Sequence, residues 1–377
     1  KSYRDTGDPA WAERARFVLR RINERYLQFA HDPDVLKYWP EPTAAGTHRI
    51  YWSEETTADW IGTMWDFFEE APVLTEDDRW RGANSMLNAL HDLPRHVSAY
   101  GMFADAEKTW PVLFNHSTFP LIGMYYLGRH FHRFYPDVDR SRIDDYLQRI
   151  DNGFSNQIKS WKPTEDANGY YTIVPRHTID WSLGEGDYSY FETGQVRMFA
   201  DYTVGICDNT GDPAGFGDSG YGRGIRTSLL DRAVWYYEDP KLQWWLDRVS
   251  RGGWDNPYDP ELESERWDDL PGIRVFPLTG AVYEWTTETP AYGPSLMPPN
   301  VPQEKCFDKI AFRENLDEDG QHFLLDGYSR GGHLHYDGNA ITRYYTDGED
   351  WLMDGDYLVR NTTDHNMLSV VRDGRAD

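Results

Sequence analysis

Residues 331–353 read GGHLHYDGNAITRYYTDGEDWLM. Asp347-Gly348 lies between two arms, Ala340–Tyr345 and Asp350–Met353, whose Ile, Thr, Tyr and Trp favour strands. An Asp-Gly pair in that setting is a strong short-range hairpin signal. Asp319-Gly320 predicts a second hairpin, and the β-like texture begins near Ile273. The end of the chain therefore reads as antiparallel sheet.

Upstream the pattern is helical. Between Ala12 and Phe29 the apolar positions Ala15, Val18, Leu19, Ile22, Tyr26 and Phe29 keep helix spacing. Ile143, Tyr146, Leu147, Ile150, Phe154 and Ile158 repeat it before Pro163. Further helices are expected over Glu54–Glu70, Asp78–Leu90, Ser117–Phe134, Phe191–Cys207, Ile225–Tyr237 and Lys241–Val249. No exact repeat is present, but successive amphipathic helices suggest stacked helical hairpins. The expected organisation is a helical region over 1–272 and the start of a β region over 273–377. Pro-rich Thr289–Gln303 reads as a linker or wrapped loop. A strand-like MLSVV close to Asp377 suggests a sheet that continues beyond this chain.

The 377 residues are enough for a large core. Sixteen Trp and 25 Tyr are a heavy aromatic load for so hydrophilic a chain, and aromatic faces make platforms for sugar rings. Trp52, Trp60, Trp110, Trp181 and Trp254 are candidate subsite residues, although packing is the ordinary role of tryptophan. A net charge of -25 argues against nucleic-acid binding, which needs clustered Lys and Arg. A polyanionic sugar is still allowed, because a local Arg/His patch overrides the global field. No stretch reaches the roughly 18 apolar residues that a membrane span requires. Cys207 and Cys306 allow one disulfide but no disulfide framework. The chain opens on Lys1 without a signal-like segment; a removed leader, and so a secreted or periplasmic location, is one expectation.

Several segments carry candidate chemistry. His333 and His335 would share a face of a regular strand. Asp354 and Asp356 in LMDGDY and His365 in TTDHNML are expected on neighbouring strands. Two imidazoles and a carboxylate from adjacent strands suit zinc; hydrogen-bonded histidines on a polar sheet face are the alternative. Asn115-His116, just before a strongly periodic helix, suit helix capping or the grip of a carboxylate. In GEGDYSYFETGQVRM (184–198), Tyr188, Tyr190 and Glu192 precede another helix, where packing is the commoner role. The glycine-rich DPAGFGDSGYGRG (212–224) lacks the ending of a phosphate loop and reads as a close-packed loop.

Taken in order, the helical layer, Asn-His, GDSG, H-x-H-x-D, the Asp-Gly hairpin, LMDGDY and Asp-His-Asn resemble the heparinase II/III-like polysaccharide lyases and the related alginate lyases. The specific match covers about the last sixty residues. The resemblance implies an α+β multidomain fold, an incomplete (α/α) toroid followed by an antiparallel β-sheet domain. It also implies β-elimination on a uronic-acid polysaccharide. On it, Asn115, His116 and His333 correspond to groups that contact the substrate, with Arg330 adding charge. His335, Asp354 and His365 correspond to the ligands of a structural zinc. If one histidine serves substrate and the other metal, the strand must bend near the glycines. The family tyrosine follows a Glu, but Gln195, Val196 and Arg197 stand there. Tyr190 and then Tyr188 are the preferred substitutes, with Glu192 beside them, whereas Tyr170 and Tyr171 match the family separation from Asn-His. The rivals are a glycoside hydrolase working with a carboxylate pair on the same fold, and a non-catalytic carbohydrate-binding protein.

Overall fold

The computed structural model describes residues 6–31, 58, 62–95, 115–163, 165–219, 227–250, 262–278, 302–328, 333, 335–355, 360–367, 371–372 and 375–376. The helices are α1 (Pro9–His31), α2 (Glu76–Asp92), α3 (Asn115–Phe134), α4 (Arg140–Gln157), α5 (Ile173–Glu185), α6 (Ser189–Glu192), α7 (Gln195–Gly205), α8 (Thr227–Tyr237) and α9 (Pro240–Ser250). The strands are β1 (Gly272–Pro277), β2 (Phe307–Arg313), β3 (His322–Asp326), β4 (Ile341–Thr346) and β5 (Glu349–Met353), with a short pair β6 (Val371–Arg372) and β7 (Arg375–Ala376). Strands β1 to β5 form one antiparallel sheet in chain order, so the fold is α+β as expected. Most of Thr289–Gln303 lies outside the described residues.

By compactness the chain divides into two units, one of Lys1–Val112 with His116–Asn156, the other of Leu113–Asn115 with Gln157–Asp377. In the first unit, α3 buries Leu121, Ile122, Met124, Leu127 and Phe131, and α4 buries Ile143, Ile150 and Phe154, the periodic positions of the sequence. Gly128 of α3 lies against Leu147 of α4. Helix α2 opens with a capping box: Asp78 N–H donates to Thr75 Oγ1, and the Asp78 carboxylate accepts the Thr75 N–H. The same carboxylate accepts Arg16 Nε at 2.8 Å and Arg20 Nε at 2.5 Å from α1.

The second unit has one apolar core, in which Phe199, Tyr202 and Val204 of α7, Leu230 and Val234 of α8 and Trp245 of α9 meet Phe276 of β1 and Leu324 of β3. The sheet's buried side is unusually polar. Register pairs Lys309 with Asp326 and Arg313 with His322, and all four side chains are closed to solvent. Arg313 donates to Cys207 O at 2.6 Å, and His322 Nε2 lies 3.1 Å from Gly205 O. The sheet thus supplies donors to carbonyls at the end of α7 and just past it. Lys309 Nζ lies 3.0 Å from both Asp166 Oδ1 and Asp326 Oδ1, and Lys162 pairs with Asp308. Cys207 and Cys306 are buried thiols, not a disulfide.

One helix reading differs from the structure, one helix was not read, and both expected hairpins are present. The helix expected over Phe191–Cys207 is broken by Gly194, whose φ of 80° divides α6 from α7. Helix α5 escapes periodicity because it is buried all round: Ile173, Val174, His177, Thr178, Ile179, Trp181 and Ser182 are all closed to solvent. Asp347-Gly348 makes the expected tight turn, with positive φ at both residues. Asp319-Gly320 instead ends a longer loop, and Gly320 is needed for space, since a Cβ there would lie 2.0 Å from Asn315 Oδ1.

Candidate active site

His333 adopts a φ of 59°, the left-handed conformation that a branched or bulky residue avoids. That bend, next to Gly331-Gly332, takes the imidazole out of regular strand geometry. Its carbonyl accepts the Asp218 N–H at 2.9 Å. Its Nδ1 lies 3.2 Å from Asp218 Oδ2, and its Nε2 3.9 Å from Glu165 Oε2. The ring stacks on Tyr170, with centroids 3.9 Å apart and planes 3° apart.

Asp218 is the hub. It holds His335 Nε2 at 2.8 Å on Oδ1, and both His333 and Arg360 Nη2, at 3.0 Å, on Oδ2. Burial pushes its carboxyl up, but the hydrogen bonds from His335, His333 and Arg360 outweigh that and hold it below the usual range. The two histidines of the motif thus share one carboxylate before either serves anything else. The glycine-rich loop permits this: a Cβ on Gly217 would lie 1.9 Å from Asp166 O and 2.7 Å from His333 O. Gly215 approaches Asp354 O just as closely, so the close-packed reading of 212–219 describes what the backbone does.

Glu165 joins a second segment. Its Oε1 accepts the Asn115 N–H at the start of α3 at 2.6 Å. Burial raises its pKa to about 8 against the pull of that N–H, so it is neutral at pH 7. Asn115 and His333 therefore lie on opposite sides of one carboxyl group, although 218 residues separate them in the chain. Asn115 itself is 2% exposed. The His116 side chain and Arg330 lie outside the described residues.

The expected tyrosines are elsewhere. Tyr190 is fully buried in the core, its hydroxyl 3.5 Å from Ser160 O, and burial pushes its pKa up, the wrong direction for a base. Tyr188 is exposed and stacks on Tyr236 rather than on a site histidine. Glu192 is exposed at the end of α6. The tyrosine beside His333 is the half-buried Tyr170, while Tyr171 is core. Its separation from Asn-His was the usable signal. Asp218, Glu165 and Arg360 had only weak ones, a GDSG turn and two isolated charges.

The residues suggested for zinc do cluster. His365 Nδ1 lies 2.9 Å from Asp354 Oδ1, and the His335 and His365 rings are 5.5 Å apart. His335 Nδ1, His365 Nε2 and Asp354 Oδ2 are buried with no hydrogen-bond partner among the described residues. Two nitrogens and one oxygen, with His335 braced through its other nitrogen by Asp218, fit the donor chemistry of zinc. Asp356 is outside the described residues, as are Trp52, Trp60, Trp110 and Trp254; Trp181 is buried in α5.

The fold, a run of helices leading into an open antiparallel sheet, is heparinase-like. The chain is similar to heparinase III, with a TM-score of 0.55 and 11% identity over 97% of this chain and 52% of that one. It is likewise similar to the heparan sulfate lyase HepC from Pedobacter heparinus, with a TM-score of 0.50 and 14% identity over 94% and 48%. The chain spans about half the length of these proteins. No protein-family model and no curated protein matches the sequence. Among the described residues, no helix is long and apolar enough to cross a membrane.

Proposed function

We propose that the protein is a polysaccharide lyase that cleaves a uronic-acid-containing polysaccharide by β-elimination. The observation that carries this reading is Tyr170 stacked face to face on His333, with Asn115 tied to the same place through Glu165. The heparinase-like fold supports it.

β-Elimination removes the proton at C5 of a uronate, beside its carboxylate. Removing it places a second negative charge on that carboxylate, so fixed donors there stabilise the enolate-like state as an oxyanion hole does. Asn115, His116 and His333 are donors of the right kind, and Arg330 adds charge. Asp218 holds His333 by Nδ1, and Nε2 lies on the side of Glu165. Tyr170, as the phenolate, takes the C5 proton and returns it to O4 as the C4–O4 bond breaks and the C4=C5 double bond forms. His335, Asp354 and His365 hold a structural zinc, which when bound ties the hairpin strands together and fixes the segment carrying His333. The strongly acidic chain with few basic runs favours an unsulfated polyuronate, and such a substrate goes with a secreted or periplasmic enzyme.

The test is an ultraviolet screen for unsaturated products across a panel of uronic-acid polymers. Tyr170→Phe should lower the rate by about 100-fold or more, while Tyr190→Phe leaves it near wild type. Chain cleavage without ultraviolet absorbance would instead mark a hydrolase, and binding without turnover a carbohydrate-binding protein.

A further inference from the structure

We infer that Asp166, Asp326 and Asp337 form a calcium site that ties together the segments carrying the candidate active-site residues. Asp166 follows Glu165 in the connection from α4 to α5, Asp326 ends β3, and Asp337 lies two residues after His335. One ligand oxygen from each lies within 4.8 Å of the other two. The three residues are 1%, 0% and 1% exposed.

The independent observation is what these carboxylates lack. Asp166 Oδ2, Asp326 Oδ2 and Asp337 Oδ1 are closed to solvent and accept no hydrogen bond among the described residues. The opposite oxygens are occupied: Asp166 Oδ1 and Asp326 Oδ1 by Lys309, Asp326 Oδ1 also by the Tyr328 N–H, and Asp337 Oδ2 by the Gly217 N–H at 3.3 Å. Each residue thus presents one bare oxygen, and buried bare oxygens are rare in folded proteins because leaving them unmade is costly.

Charge counting leads to the same place. Asp166, Asp308, Asp326 and Asp337 bring four carboxylates, against the two ammonium groups of Lys162 and Lys309. The ionised cluster is two positive charges short among side chains closed to solvent, a deficit that one divalent cation cancels. All the donors are oxygens, which selects a hard ion over zinc. A closed, oxygen-only setting favours calcium over magnesium, which sheds its own water reluctantly.

The full chain is stripped with EGTA, dialysed into calcium-free buffer and titrated calorimetrically with CaCl2; melting is followed after adding CaCl2, MgCl2 or ZnCl2. We expect one class of calcium site, about one ion per chain by elemental mass spectrometry, and a rise in melting temperature with calcium that zinc does not reproduce. Asp337→Asn should abolish both the bound calcium and that rise, and His335→Ala, in the zinc trio, should keep them. Wild-type protein that binds no calcium overturns the inference without any variant. So does an Asp337→Asn protein that melts higher than wild type and ignores calcium, since the carboxylates then share protons instead. Neither readout depends on lyase activity.

Discussion

Asp78 in the first unit and Asp326 in the second are both carboxylates closed to solvent, yet their surroundings drive them in opposite directions. Burial raises both. At Asp78 the Arg20, Thr75 and Arg16 hydrogen bonds overcome it and hold the carboxyl well below its ordinary range. At Asp326 Lys309 opposes burial, but Asp166, Asp337 and Asp308 add to it, and the carboxyl ends well above. The difference is a count of donors. Asp78 has more than it can use, because α1 delivers two arginines to a cap that is already complete. Asp326 shares one ammonium with Asp166 and Asp308. A surplus of donors marks a structural staple; a shortage marks a place that expects another positive charge.

That contrast can be broken at its strongest point first. Lys309→Met removes the cation shared by Asp166, Asp308 and Asp326 and leaves buried carboxylates uncompensated; urea unfolding should show a loss of about 3–5 kcal/mol. A loss under about 1 kcal/mol would mean that the cluster is already neutral by protonation. Asp78→Ala should cost less, about 2 kcal/mol, because the arginines regain water and only the cap and partly exposed ion pairs are lost. If it cost more than Lys309→Met, the donor-counting argument would be inverted.

The smallest effect is one of pH. His322 is buried and hydrogen-bonded to Gly205 O, and burial, reinforced by Arg313, holds its pKa well below the ordinary value. The unfolded chain takes up a proton near pH 6.5 that the folded chain refuses, so stability is complete above that pH and falls as pH drops below it. Between pH 6.5 and 5.5 the wild type should lose about 1 kcal/mol relative to His322→Gln, read from unfolding curves at each pH. Parallel curves for the two proteins would show that His322 titrates in the folded state.

Legibility in the sequence followed the same division. Elements with one wet face announced themselves, as α2, α4 and the β4–β5 hairpin did, because alternation of polar and apolar residues reports a boundary with water. Helix α5 has no such boundary, and the buried face of the sheet carries Lys309, Arg313, His322 and Asp326, so hydropathy there points the wrong way. Motif spacing singled out His333, His335, Asp354 and His365, and the structure brings His365 to Asp354 and to the His335 ring. Asp218 was passed over as part of a glycine loop, yet it binds both histidines. Tyr190 and Tyr188 were preferred for their proximity to a glutamate, and neither lies beside His333, whereas Tyr170, which matches the separation from Asn-His, does. Only the fold shows that Tyr190 points into the core while Tyr170 lies on an imidazole.

Arg313 and His322 reach from adjacent strands to carbonyls at the end of α7 and just past it, and this has a bearing on how the second unit comes apart. If the strands peeled away, those carbonyls would be stranded in an apolar interior, and if α7 frayed, a guanidinium and an imidazole would be stranded in turn. Helix and sheet thus share a single cooperative transition, and local opening has to begin in the connections between them.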